Sequence, residues 1–551
     1  YRYIVDYQNF RITNGLNIGG ECVAVQGWSS PYLANRGDYT VFVGGGGHSY
    51  FYQTNPPEVG GYADFWDPPT VEGKYKGIWP ESWYGIRASN MALEKMPFLI
   101  DATDEQKRLI EGQAYFFRAF FHWELIRVWG GMPYIDRVLQ PNDALDYTRL
   151  SYQEITERII EDFDKAAQLL PANWDDVLVK SPGRYTGYAT KGAAMAFKAK
   201  ALLFAGSPLM NGVSTGSYSI NNEYMERAAV AAWEMLELAN EGYYSLVPFD
   251  RYQENFAKND GTHVWSEETI FLKFPHTIGS FWVVGGHGRI FTPEPSVFGG
   301  NEVCHAVVQN YIDKFEMADG TLYDISYDND STKRWNNRDP RLRKAILFDR
   351  DSAGYSPLTV MRLYDEEPGF PSMKGPNVLT PYICKKYLPR GVNQIDKLWD
   401  NYTYVCPHMR LAEVYLIYAE AANEAWGPNG KAPGADLTAI EAVNIVRNRA
   451  GHVDVLPEFT GTKELFRDRI RNERCVELAF EAQYWHDLRR WYIAHLPENK
   501  ILYTMDFDRN HTNFNRRVVR KRIFEMRHYW MPLPADQIYF TEGFEQNPGW
   551  N

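Results

Sequence analysis

An all-α-dominated fold of stacked helical hairpins, with a long loop-rich and partly irregular second region, is what three features of the chain predict. Apolar residues recur at helical spacing in several long segments. Small residues crowd the middle of these segments, and Gly or Pro closes their ends, a combination that resembles tetratricopeptide repeats. Between the last two blocks of helical pattern lies a long stretch rich in Gly, Pro, Asn and aromatic residues.

Taken in order, residues 1–80 read as an aromatic, loop-rich segment, because GGGGHSYFYQTNPPEVGGYADFWDPP is dense in turn formers. Residues 81–244 read as helix pairs. Pattern starts near Trp83 and resumes after Asp104, where Ile110, Ala114, Phe117, Phe121, Leu125 and Val128 form one stripe; Gly130, Gly131 and Pro133 stop it. SYQEITERIIEDFDKAAQLLP and TGYATKGAAMAFKAKALLFAGSP make the next pair, and a further helix covers Met225 to Tyr244. The small residues from Thr190 to Ala205 let helices approach closely. Residues 245–405 read as a variable excursion with short strand-like runs, TIFLKF and YICKKYL. Residues 406–495 carry three consecutive amphipathic helices from Pro407 to Trp491, and residues 496–551 read as a terminal loop segment. All five segments are expected to form one compact unit.

Composition narrows the function classes. Of 551 residues, 44% are hydrophobic and 23% charged, as in an ordered globular protein. A net charge of -12 argues against nucleic acid as a partner, which would call for a basic surface. The aromatic share of 15%, with 17 Trp and 37 Tyr, supplies flat faces suited to sugar rings or peptide side chains. The five cysteines form no CxxC pair, so no cysteine-based metal or redox motif is expected; their odd count rules out full pairing within the chain, and no disulfide is expected. No apolar run spans a bilayer and no signal peptide opens the chain; Tyr1 reads as the start of a trimmed form.

Catalytic signatures are weak. Glu473, Glu477 and Glu481 fall at four-residue spacing, but Arg469, Arg471, Arg474, Arg489 and Arg490 nearby predict neutralisation within the helical stack rather than a hydrolase pair. Cys304 beside His305 would point to opposite faces of a strand. Gly44–Gly47 and Gly285–Gly288 lack the strand–helix context of a phosphate loop. Asp328, Asn329 and Asp330 cluster oxygens that would suit a structural Ca²⁺, without the Gly and Glu of a helix–loop–helix site. No cofactor is expected beyond that ion.

Eight motifs in order resemble the SusD/RagB family of outer-membrane nutrient-binding lipoproteins of Bacteroidetes. They are RASNMALEKM, EGQAYFFRAFFHWELIRVWGGMPYID, ATKGAAMAFKAKALLFAG, QNYIDKFEMADGTLYD, NRDPRL, MRLAEVYLIYAEAANEAWG, the pair VNIVRNRAG and IRNERCVELAFEAQYWHDLRRW, and the ending WMPLPADQIYFTEGFEQNPGW. Residues 1–80 fall outside these motifs, and position 1 is not the lipid-bearing Cys. The resemblance implies about four tetratricopeptide-like helix pairs, a non-catalytic extracellular lipoprotein anchored to the outer membrane, and a SusC-like TonB-dependent transporter that it covers like a lid. Most members bind glycans and some bind peptides. Arg118, Arg127, Trp123 and Trp485 sit inside the shared motifs and read as structural.

Binding is the stronger reading of the residues themselves. Sugar capture needs exposed aromatic faces with planar polar side chains. Two loop regions offer them. One holds Trp28, Tyr32, Asn35, Arg36, Asp38, Tyr62, Asp64 and Trp66; the other holds Phe281, Trp282, His287 and Arg289. Trp28, Asn35, Asp38, Tyr62, Trp66, Phe281, Trp282 and Arg289 are therefore the candidate ligand-binding residues. An oligosaccharide importer subunit is the expected function, and a peptide-binding subunit on the same scaffold the alternative. A hydrolase and a bare interaction scaffold are the remaining classes.

Overall fold

The computed structural model describes residues 18–24, 30–42, 78–143, 147–177, 183, 186–272, 305–353, 359–374, 378–388, 401–541 and 543–550. A short helix, α1 (Ser30–Ala34), precedes the main array of α2 (Ile78–Lys95), α3 (Asp104–Trp129), α4 (Tyr152–Leu169), α5 (Lys191–Ala205), α6 (Pro208–Thr215) and α7 (Asn222–Asn240). Two further short helices, α8 (Gln309–Ile312) and α9 (Pro340–Ala345), lie in the excursion. The array resumes with α10 (Leu411–Trp426), α11 (Ala439–Arg449), α12 (Lys463–Glu477) and α13 (Tyr484–Arg490), and α14 (Ala535–Phe540) lies near the end. Each long helix packs on the next, α2 on α3, α3 on α4, α4 on α5 and α5 on α7; α7 packs on α10, and α10 on both α11 and α12. The expected helical-hairpin scaffold is present.

Local chemistry sets these boundaries. Thr103, Ser151 and Thr438 each close a capping box with Gln106, Glu154 and Glu441, satisfying the first free N–H groups of α3, α4 and α11. Gly130 ends α3 at φ 82°, a conformation that L side chains rarely adopt. Gly85 lets α2 approach α3 closely, since a Cβ there would sit 2.2 Å from the Phe121 ring. In α5, Ala193, Ala194, Ala196, Ala199 and Ala205 are fully buried, which is how one helix packs on three neighbours.

Shared-motif residues brace the array. Arg118 clamps Asp162 of α4 through two bonds of 2.6 and 2.8 Å and reaches Asn90 of α2 at 3.1 Å. Trp123 lies under Arg127 and Lys200, and Arg489 covers the buried Trp485 ring at 4.2 Å. All four predicted structural residues are thus internal. The apolar stripe expected on α3 needs correction. Ile110 is 41% exposed and Leu109 is the buried residue of that turn. From Phe116 onward every residue of α3 is buried, so no single stripe exists there.

The third C-terminal helix also differs from expectation. It ends at Glu477, and Phe480 and Ala482 adopt φ 62° and 57° before α13 begins. Long-range donors take the carbonyls that another turn would use. Arg410 Nη2 donates to Glu477 O at 2.8 Å, Lys386 Nζ to Ala479 O at 2.8 Å, and the Tyr387 hydroxyl to Phe480 O at 2.8 Å.

The excursion between α7 and α10 is loop-rich, as expected, and its strands are short. These are β2 (Ala257–Lys258), β3 (Thr269–Phe271), β4 (His305–Val307), β5 (Ile346–Leu347), β6 (Ser352–Ala353), β7 (Thr359–Val360), β8 (Ile383–Cys384), β9 (Thr403–Tyr404) and β10 (Met409–Arg410); with β1 (Cys22–Ala24), which precedes α1, they pair antiparallel as β1–β4, β2–β9, β3–β10, β5–β8 and β6–β7. The segment 496–551, read from sequence as loop, instead carries the longest ladder, β11 (Ile501–Phe507) with β12 (Phe514–Lys521). Its outer strand is largely polar, so it lacks an apolar alternation; ion pairs of Arg516 with Asp313 and Asp328 hold it to the excursion.

Candidate ligand-binding site

The carboxylates that a hydrolase reading would need lie inside the molecule. Glu473, Glu477 and Glu481 are 1%, 0% and 3% exposed. Neutralisation is as expected, but the partners are not the nearby arginines. Glu477 faces Arg341, Arg410 and Arg449; Glu473 faces Arg341 and Arg447; Glu481 faces Arg410 and Lys386. Of the arginines that the sequence reading chose, Arg474 and Arg490 pair with Asp487, Arg490 also holds Glu420 at 2.6 Å, and Arg469 holds Glu316 at 3.2 Å. Arg471 covers the Trp491 ring, while Arg489 spends its donors on the carbonyls of Tyr529, Arg127 and Val128.

With Glu268, Glu316 and Asp339 added, these side chains make a network of six anions and six cations. The anions are Glu268, Glu316, Asp339, Glu473, Glu477 and Glu481; the cations are Arg341, Lys386, Arg410, Arg447, Arg449 and Arg469. Burial pushes the Glu477 carboxyl up, and Arg449, Arg410 and Arg341 more than reverse this, holding it far below the ordinary carboxylate range. A general acid must carry a proton near working pH and touch substrate. This group does neither.

Glu21 is the opposite case. Burial drives its carboxyl up to about 8, and its principal hydrogen bond is the 2.7 Å donation from Phe480 N. It pins the first described strand onto the turn between α12 and α13. Asp328 spends its oxygens on Tyr323 and Arg516, and Asp330 on Thr332, so the cluster read as a calcium site is engaged in protein contacts. Cys304, the two glycine-rich runs and the side chain of His305 lie outside the described residues.

Of the eight candidate ligand residues, Trp28, Tyr62, Trp66, Phe281, Trp282 and Arg289 also lie outside the described residues. The other two are near each other after α1. Asn35 is 2% exposed; its side-chain oxygen accepts from Arg522 Nε at 3.0 Å, and its carbonyl accepts from Ile523 N at 2.9 Å. This is the geometry of a strut, not of a group facing solvent. Asp38 is exposed and caps its own turn by accepting from Thr40 N and Oγ1. The exposed Arg36 and the half-buried Tyr32 flank it, with Arg520 4.4 Å from the Tyr32 ring centroid. Tyr39 stacks on His528 at 4.3 Å and seals the base of this segment.

The backbone brings the stems of the two candidate loop regions together. The first region follows β1 and the second precedes β4, and these strands are hydrogen-bonded partners, with Cys22 opposite Val307 and Ala24 opposite His305. Because the pair is antiparallel, the chain leaves toward residue 25 and arrives from residue 304 at the same end of the ladder. Sequence patterning offered no signal for this contact, since a three-residue strand carries almost no period.

Comparison with known proteins agrees with this architecture. One family model, described as "SusD family", matches residues 277–550, and another, "Starch-binding associating with outer membrane", matches residues 52–203. The latter reaches into the N-terminal segment that the motif reading had left out. SusD-like protein P2 of Formosa agariphila is 25% identical over 493 residues, covering 87% of this chain and 81% of that one. A SusD-like protein from Bacteroides fragilis superposes with a TM-score of 0.72 at 24% identity, over 98% of this chain and 96% of the other. Surface glycan-binding protein A from Bacteroides fluxus does so at 0.56 and 18% identity, over 98% and 99%. Matching models in both halves, a relative along most of the length and a shared helical frame lead to one conclusion: the chain belongs to the SusD/RagB family.

Proposed function

We propose that this protein is a non-catalytic glycan-binding component of the outer-membrane surface, capturing oligosaccharides and passing them to a SusC-like TonB-dependent transporter. The observation that carries the ligand site is the β1–β4 pairing: the chain leaves β1 toward the first aromatic region and reaches β4 from the second, at one end of one ladder. Trp28, Tyr62, Trp66, Phe281, Trp282 and Arg289 then contribute to one shared platform, with Asp38 at its described edge. Asn35 takes part as the strut that holds Arg522. The names of the relatives support a carbohydrate ligand: one is a surface glycan-binding protein, and a further solved neighbour is a SusD-like carbohydrate binding protein from Bacteroides fragilis. Among the described residues no helix is long and apolar enough to cross a membrane.

Shallow aromatic platforms hold sugars loosely, so retention at the surface comes from several weak contacts along one chain and from proximity to the transporter. The test is an oligosaccharide array run beside a peptide pull-down. Trp66→Ala and Trp282→Ala should each lose array binding while the unfolding temperature stays put. Capture of peptides and not sugars would transfer the site to the peptide class. Release of new reducing ends from a bound glycan would replace the binding reading with a hydrolase. Copurification of a barrel transporter with the tagged protein from outer membranes tests the partner.

A further inference from the structure

A cavity of 230 Å³ opens between the α4–α5 connection and the chain that follows α7. Its described walls include none of the eight residues singled out above. They carry instead Trp174, Tyr188, Tyr243, Tyr244 and Trp265, drawn from three separate segments. Trp174 and Tyr188 meet edge to face, 5.4 Å between centroids at 81°, so the two rings make a corner. Trp174 is buried and locked by its Nε1–H donating to Ala189 O at 3.0 Å. Tyr188 and Tyr243 keep 40% and 41% of their surface in water. Two large rings left this open at one cleft present apolar faces to whatever enters it.

The polar groups around them are held in place. Asp175 accepts from Gly183 N through both oxygens at 3.0 Å, and the Asn173 side-chain oxygen accepts from Asp175 N at 3.0 Å. Glu267 Oε1 accepts from Arg251 Nη1 at 3.1 Å. The Tyr244 hydroxyl and Thr190 Oγ1 are hydrogen-bonded at 2.9 Å. A carboxylate has about four acceptor sites, so each of these anions is oriented by the protein while retaining capacity for a ligand hydroxyl.

We propose that this cleft is a second sugar subsite, taking a single neutral pyranose or furanose ring. Size argues for one ring, since sites for larger ligands run to roughly 300–1,000 Å³. Charge argues for a neutral one: the described lining carries Asp175, a Glu267 already paired with Arg251, and no cation of its own, which disfavours uronates and sulfated sugars. The mixture of hydroxyl, carboxamide and carboxylate groups matches hydroxyls that both donate and accept. The subsite shares with the proposed function the premise of a glycan ligand, but uses different residues.

Saturation-transfer NMR on the full chain tests it, with glucose, galactose, mannose, xylose and N-acetylglucosamine as probes, and glucuronate and tetramethylammonium as charged controls. At least one neutral sugar should show transfer that falls about fivefold or more in Tyr188→Ala/Tyr243→Ala. It should return in Tyr188→Phe/Tyr243→Phe, which keeps the rings. In the Trp66→Ala/Trp282→Ala background, which removes the loop-site contribution, the part of the transfer that depends on Tyr188 and Tyr243 should persist, so failure of the loop site and failure of the cleft are read separately. Three results would overturn the subsite: no transfer from any neutral sugar, transfer indifferent to the alanine pair, or tyrosine-dependent transfer from a charged control alone. If the double variant does not fold, Tyr188→Ala and Tyr243→Ala taken singly give the same reading at smaller amplitude.

Discussion

The α4–α5–α7 layer and the junction between the excursion and α12 are both deeply buried, yet they cohere by different means. In the first, alanines and apolar rings pack by shape, and ion pairs such as Arg118–Asp162, Lys198–Asp164, Arg227–Glu157 and the buried Lys200–Glu413 tie single positions together. In the second, six cations and six anions interlock around Arg410 and Glu477. The difference teaches what each region must specify. Apolar contacts tolerate small shifts of one helix on another, whereas a buried charge must find its own partner or stay desolvated at large cost. The junction therefore fixes how the excursion sits on the frame, and the frame itself relies more on shape packing.

The largest break of this contrast is Arg410→Met. It strips one partner from Glu268, Glu477 and Glu481 together, and should cost about 3–5 kcal/mol in denaturant unfolding. A loss below about 1 kcal/mol, the range of exposed pairs, would mean that the network does not hold the junction. A double-mutant cycle with Glu481→Gln should show coupling of about 0.5–3 kcal/mol.

Next in size is a pH effect at Glu21. Its carboxyl keeps a proton up to about 8 in the folded protein against an ordinary value of 4.5. Between those values the native state binds more protons than the unfolded chain, so stability falls as pH rises, by up to about 1.4 kcal/mol per pH unit. Glu21→Gln should flatten that slope when melting is followed from pH 5 to 8, and should match the parent slope below pH 4.5. The array carries the smallest effect. Thr103→Ala removes one half of the α3 capping box and should cost about 0.5–2 kcal/mol, with no pH dependence of its own.

The same contrast explains what could be read in advance. Helices α2, α3, α4, α5 and α7 were legible because their apolar spacing is local and stops such as Gly130 and Pro133 punctuate it, whereas the short α6 gave no such pattern. The stop after Glu477 was not, because its causes, Arg410, Lys386 and Tyr387, lie far away in sequence. Nor were the true partners of Glu473, Glu477 and Glu481, since helical spacing names neighbours on one helix and says nothing of Arg341 or Arg449. Of the candidate site, composition pointed to aromatic loops, but the pairing of Cys22 with Val307 is a contact that no local pattern encodes. Asn35 shows the converse limit: a loop-rich, polar context suggested exposure, and Arg522 drew the side chain inward.

Helices α7 and α10 are direct neighbours in the array, although some 170 residues separate the end of one from the start of the other. The intervening chain departs from and returns to almost the same place, so its length is decoupled from the distance that the scaffold must span. Doubling a closed loop adds only about 0.6 kcal/mol of closure entropy. A lineage can thus lengthen, trim or rewrite this excursion while the helices beneath it stay unaltered.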